Sequence, residues 1–190
     1  MHWHQNQATL FTVSLKVGDE ERNMGIISDH TVHDTAFVYC TQQIIVEYVK
    51  RVFKDVKTIT YLSDGASAHF KNNSNMFSLT YHQQDFGIKA NWVFSSTSHG
   101  KGPADGIGAT IKSSATKHLF RHGHEKSFRD AKQFYEFSLK HFDRMGVVRP
   151  SGGEPHRPIE IKFLSSGTVQ QMYDDKLSIR WNKLPNTDEI

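Results

Sequence analysis

Two stretches carry residues whose types and spacing could do chemistry. The first is "TITYLSDGASAHFKNN" (58–73), a β-branched apolar run that breaks at Ser63-Asp64-Gly65 and continues through His69, Lys71, Asn72 and Asn73. A carboxylate that ends a strand and is followed at once by glycine has three ordinary roles. It can form a turn, since Asp-Gly is a common turn pair, or cap a helix. It can also hold a metal, because ligands of open α/β sheets gather beyond the strand ends. The polar residues after it could contact phosphate, or form a solvated face with Asn73 as a helix cap. The second stretch is "SHGKGPADG" (98–106), with His99, three glycines, Lys101 between two of them, and Asp105 in the first turn of a following helix. Backbone N–H groups of such a loop, backed by a helix N-terminus, favour anions. It is not a Walker A loop, because the lysine is not followed by Ser or Thr. Alone, Asp105 reads as a carboxylate that complements the helix dipole, worth roughly 0.3–1 kcal/mol.

Taken together, the two stretches suggest more. If the strand ending at Asp64 and the strand entering the glycine loop are neighbours, ~4.8 Å apart, both carboxylates can reach one point above the sheet. Paired carboxylates make a hard oxygen site suited to Mg²⁺ or Mn²⁺. Two metals held in that way can activate a water and stabilise the leaving oxygen of a phosphodiester. Other constellations are weaker. "MHWH" and "HLFRHGH" have no cysteine nearby, although His118 and His122 stand one helical turn apart. "KHLFRHGHEKSFR" reads instead as a positive face able to touch a phosphate backbone. "FSSTSHG" invites a Ser/His hydrolase reading, but the chain has no G-x-S-x-G elbow.

The elements that must position these residues follow from periodicity. "ATLFTVSLKV" (8–17) alternates as a strand, and 22–29 returns after "GDEE" as a hairpin partner. Asp34 is placed to cap a helix over 35–55, in which Phe37, Thr41, Ile44, Ile45, Tyr48, Val49 and Val52 form an apolar stripe. Residues 57–64 are a strand and 73–87 a short helix closed by Gly87. Residues 88–97 are an aromatic and β-branched strand. A helix over about 103–121 starts near Pro103 and buries Ile107, Ile111, Ala115 and Leu119. Another spans 127–146, with Phe134, Phe137, Leu139 and Phe142 for packing. "VVRPSGGEPHRP" (147–158) is a Pro/Gly linker. "IEIKFLSS" and "KLSIRWNKL" read as two short strands of a β-rich tail, 159–190. The class is therefore α/β, a mixed sheet flanked by helices.

Bulk properties narrow the field. At 190 residues the chain has room for one ordinary domain with a real core. Its net charge of +3, with 12 histidines in reserve, permits a nucleic-acid partner without demanding one. The single Cys40 excludes an internal disulfide and a multi-cysteine zinc site, which fits a reducing intracellular compartment. No apolar run approaches the ~20 residues that cross a bilayer, and the start lacks the pattern of a signal peptide.

"SDGASAHFKN" with "DFGIKANWVFSSTSHGKGPADGIGATIK" resembles the core of a widespread group of transposon-derived animal proteins, themselves similar to DDE-type transposases. "HWHQNQATLFT" resembles the segment after the first strand in that group, so the likeness covers about residues 2–119. The resemblance implies an RNase H-like fold: three antiparallel strands, then helix-strand-helix-strand-helix. It implies Mg²⁺- or Mn²⁺-dependent DNA strand cleavage and transfer, a DNA partner and a nuclear location. By resemblance Asp64 matches the second acidic position, which ends the fourth strand, and Asp105 is the candidate for the third. His99, Lys101, Lys71 and Asn72 would contact phosphate or order the loop. The first strand, which carries the first acidic residue in that group, is missing here. Asp29 lies roughly two inter-strand spacings of ~4.8 Å too far over to replace it. The expectation is a core over 1–146 truncated at its N-terminus and inactive in cleavage. A DNA-binding remnant, or a protein that self-associates or pairs through an exposed sheet edge, is the alternative.

Overall fold

The computed structural model describes residues 7–95, 102–123, 127–143 and 158–184. In chain order these form β1 (Thr9–Val17), β2 (Glu20–Ser28), α1 (Thr35–Val52), β3 (Thr58–Ser63), α2 (Asn73–Thr80), α3 (His82–Phe86), β4 (Lys89–Phe94), α4 (Pro103–His122), α5 (Ala131–Asp143), β5 (Ile159–Leu164), α6 (Ser166–Met172) and α7 (Ser178–Trp181). A π-helical turn, Tyr173–Leu177, links the last two. The class is α/β. The strands divide between a three-stranded mixed sheet, β1-β2-β5, and a two-stranded parallel sheet, β3-β4. The chain forms two compact units, residues 1–31 with 101–165 and residues 32–100 with 166–190. The linker predicted over 147–158 lies outside the described residues except for Pro158.

In the first unit β1 and β2 make an antiparallel hairpin in register Val17↔Glu20 to Thr9↔Ser28. β5 joins the other side of β2 in parallel, Asn23↔Ile159 to Ser28↔Leu164. The buried Ser28 hydroxyl fastens that pairing by donating to the Leu164 carbonyl at 2.5 Å. α4 and α5 cover one face through Ile27, Ile107, Ile111, Ala131, Phe142 and Ile161. Gly25 lets α4 approach: a Cβ there would stand 2.6 Å from Ile111 Cδ1 and 3.3 Å from Ile161 Cδ1. On α4 the predicted stripe holds, with Ile107, Ile111 and Ala115 buried and Leu119 partly so. On α5, Leu139 is exposed, and Ala131 and Ser138 are buried instead.

In the second unit Asp34 caps α1 as predicted, accepting from Phe37 N at 2.8 Å. Tyr39, Cys40, Ile45, Val46 and Val49 are buried along α1. The Cys40 thiol is pushed up to about 12 by burial, with Asp34 adding to the shift. The helix predicted over 73–87 is two pieces, α2 and α3, that bend at Tyr81. The bend sets His82 inside: its Nδ1 lies 2.7 Å from the Ile88 carbonyl and its Nε2 lies 2.9 Å from Tyr61 Oη. A carbonyl only accepts, so Nδ1 carries the proton and Nε2 accepts from the tyrosine. Burial lowers the His82 pKa and keeps that ring neutral. Gly87, at φ 72°, closes α3 where a side chain would be strained, as the sequence suggests.

The end of the chain departs from expectation. Residues 159–164 are a strand, but they belong to the first unit's sheet, and 166–181 is helical, so among the described residues no second strand follows in the segment expected to be a β-rich tail. The alternation Leu177, Ile179, Trp181 mimics a strand, yet Leu177 is fully buried while Ile179 is 57% exposed. What decides the helix is its grip on Asp85. Lys176 and Arg180, one turn apart, meet that carboxylate, Lys176 Nζ at 2.7 Å and Arg180 with two bonds at 2.7 and 3.0 Å. Tyr39 Oη donates to it at 2.6 Å. Trp181 Nε1, the next residue along, donates to Ser78 at 2.9 Å.

The Asp85 side chain is only 5% exposed. Burial alone would raise its pKa, but the hydrogen bonds from Arg180, Lys176 and Tyr39 outweigh it and hold the carboxyl at about 2. Its folded pKa thus lies below the ordinary ~3.9, so its stabilisation is complete above about pH 4 and is lost as pH falls toward 2. Urea melts from pH 5 to pH 2 should show a loss of about 2 kcal/mol from this group. Asp85→Asn should be less stable at pH 5 and should lack that part of the pH dependence. Ile111→Ala, at a fully buried position of the first unit, should cost about 2–5 kcal/mol in the same melts.

Candidate functional site

The parallel pair β3-β4 runs in register Thr58↔Lys89 to Ser63↔Phe94, so both strands end together. Polar groups collect beyond that end. Ser63 Oγ accepts from Trp92 Nε1 at 2.9 Å and donates to the Asp64 carbonyl at 2.8 Å, which locks the strand tips to each other. Asp64 follows immediately and is exposed. Its Oδ1 accepts from Ala66 N at 3.1 Å, an Asx turn that aims the carboxylate out of the strand. One oxygen is thus committed to the turn, and the turn and ligand readings of this residue are compatible.

The segment after Asp64 doubles back over the strand tips. Lys71 is exposed, its chain passes beside Gly65, and its ammonium stands 5.9 Å from the Phe94 ring centroid. Phe70 packs 5.9 Å from Trp92, which lies 4.9 Å from Tyr61. Asn72, expected to touch phosphate or order the loop, is the cap of α2: its Oδ1 accepts from Asn75 N at 2.9 Å. Its Nδ2 donates to Thr35 Oγ1 at 2.9 Å and to the Ser67 carbonyl at 3.0 Å. The cap expected at Asn73 is therefore one residue earlier, and Asn73 is the first helical residue. His69 stacks edge-on against Phe70 and His33, and its Nδ1 is buried without a hydrogen-bond partner among the described residues. Nothing in the sequence distinguished that nitrogen from a surface histidine's.

Asp105 belongs to the first unit. It sits in the first turn of α4, exposed, and its Oδ2 accepts from Gly102 N at 3.0 Å, the carboxylate half of a capping box, since glycine has no side chain to return the bond. His99 and Lys101 lie outside the described residues. Among the described residues no three His, Cys, Asp or Glu side chains are grouped so as to hold a metal ion. Asp64 and Asp105 offer one carboxylate each, which is short of a complete ligand set for a hard cation.

A second feature was invisible in the sequence. An open cavity of about 350 Å³ lies beside the Asp85 cluster, lined by Tyr39, Val46, Lys50, Phe86, Met172 and Lys176, among others. Asp85 itself has no reactive role there, because its oxygens are occupied by Tyr39, Lys176 and Arg180. Its partners Tyr39 and Arg180 lie 46 and 95 residues away, and no local pattern could have announced them.

An α/β protein with a carboxylate at the joint end of two parallel strands is the class that these observations define. Residues 1–190 match the family model described as "Domain of unknown function (DUF8701)", and the chain belongs to that family. No curated protein and no solved structure matches it. Among the described residues no helix is long and apolar enough to cross a membrane.

Asn72 and Lys71 have separable roles. Asn72→Ala should lower stability by about 1–2 kcal/mol through loss of the cap. Lys71→Ala, on the exposed side of the same loop, should change it by less than about 0.5 kcal/mol. Parallel thermal melts of the two variants check this.

Proposed function

We propose that the chain is a transposase-like nucleic-acid protein of mobile-element origin, with an RNase H-like core and a DNA partner in the nucleus. One observation carries the reading. In the order hairpin, α1, β3, helix, β4, α4, Asp64 follows the end of β3, which supports matching it to the strand-end metal carboxylate that the resemblance implies. Asp64 would give one oxygen to Mg²⁺ or Mn²⁺; Asp105 enters as a further ligand by the resemblance alone. When bound, the metal would polarise a phosphodiester and favour attack by water or a strand end. Lys71 would hold phosphate near it, and by the resemblance alone His99 and Lys101 would contact phosphate too.

The described residues do not complete a three-ligand set, and this favours a second reading for the chain by itself. That reading is DNA binding without cleavage. Its binding would be salt-dependent, indifferent to metal and unaffected by Asp64→Asn.

Titration of Mg²⁺ and Mn²⁺ into the wild type and Asp64→Asn/Asp105→Asn separates the two, with thermal stability as the readout and nicking of supercoiled DNA assayed alongside. The metal-site reading expects the wild type alone to be stabilised by several degrees, with little or no nicking. An identical response of both proteins would remove Asp64 and Asp105 from metal binding. They would then be a turn residue and a helix-cap carboxylate.

A further inference from the structure

The outward face of α4 is basic and carries an exposed aromatic ring. Among its 20 residues Asp105 is the single acid, and that carboxylate is used on Gly102 N. Beyond it come Lys112, Lys117 and Arg121, all exposed. Among the described residues no ion pair or hydrogen bond engages these three side chains. Phe120 is 85% exposed, the most exposed large apolar side chain described.

At 100° per residue, the buried stripe of Ile107, Ile111 and Ala115 lies on the side opposite Phe120. Lys112 falls on one flank of Phe120, and Lys117 and Arg121 fall on the other. An aromatic ring flanked by unpaired cations suits a nucleic-acid strand: a base stacks on the ring and the phosphates meet the cations. A membrane surface fits less well. An interfacial helix needs a broad apolar face toward the lipid, and here one ring stands without another large apolar neighbour on that side. A duplex fits less well too, because its bases are already stacked and Phe120 could pack on one only after a step is unstacked, at a cost of about a few kcal/mol.

We propose that the outward face of α4 binds single-stranded nucleic acid, stacking a base on Phe120 and pairing phosphates with Lys112, Lys117 and Arg121. This deepens the nucleic-acid reading above and rests on it only for the class of partner. The surface belongs to the first unit and Asp64 to the second, so the two are mutated separately.

The test is fluorescence anisotropy of the full chain with a labelled oligothymidylate, a duplex of equal length and vesicles rich in phosphatidylserine. The variants are Phe120→Ala, Phe120→Trp and Lys112→Gln/Lys117→Gln/Arg121→Gln. Because all four side chains are exposed, the variants should melt as the wild type does. The wild type should prefer the single strand. Phe120→Ala should weaken single-strand binding about ten-fold or more while leaving duplex binding unchanged, and Phe120→Trp should restore it. The triple variant should reduce the slope of log affinity against log salt by about 2, at ~0.7 for each phosphate that is no longer neutralised. Wild-type affinity and slope in the triple variant would overturn the proposal, as would binding to vesicles but not to oligonucleotide. If those results came with an intact metal response at Asp64 and Asp105, the α4 proposal alone would fall.

Discussion

The second unit is organised around one buried carboxylate. Asp85 takes four hydrogen bonds from three side chains, and those side chains come from α1, the π turn and α7. A buried ion needs such company, since an unmatched charge in the interior costs several kcal/mol. The same arrangement commits the last helices to the unit. Lys176 and Arg180 reach one carboxylate because the π turn sets the Ser178 N–H on the Tyr173 carbonyl, five residues back. Arg180 also lies over Tyr81, 4.2 Å from its ring centroid, where α2 gives way to α3. Ordering at the end of the chain is thus coupled to the bend that sets His82 under β3 and β4.

β3 and β4 depend on that support more than most strands would. Parallel strands are normally covered on both faces. Here Ile59, Tyr61, Trp92 and Phe94 are half-buried on one side, while Leu62 on the other is 72% exposed and Val93 is exposed too. The aromatic chain Phe70-Trp92-Tyr61-His82 supplies much of the cover on the buried side. Asp64 stands at the rim of this thin layer. Its direction is therefore set by the Ser63–Trp92 bond and the Asx turn, local interactions that survive without a larger sheet.

What the sequence made legible was local. Asp34 with its helix, Gly87 as a stop, Pro103 at a helix start and the strand β1 are each written within a few residues, and each is found. Asp64 at a strand end was legible for the same reason. The misreadings involve distance. β5 pairs with β2 across 136 residues, as measured by the Ser28–Leu164 bond. Period-two alternation over 177–181 pointed to a strand, and the ion pairs with Asp85 overrode it. Asn72 was visible as a polar loop residue beside the cap expected at Asn73, but its bond to Thr35 depends on how α1 packs on α2. Burial of one nitrogen of His69 had no local signal at all.

The lone cysteine gives the second unit a built-in clock. Cys40 is buried in α1, one residue beyond the tyrosine that holds Asp85, and its raised pKa leaves little thiolate at neutral pH. Thiol reagents attack the thiolate, so Cys40 can react only when α1 opens. The rate at which a disulfide reagent modifies this chain therefore measures how often that helix comes undone, without any label, substitution or knowledge of a ligand.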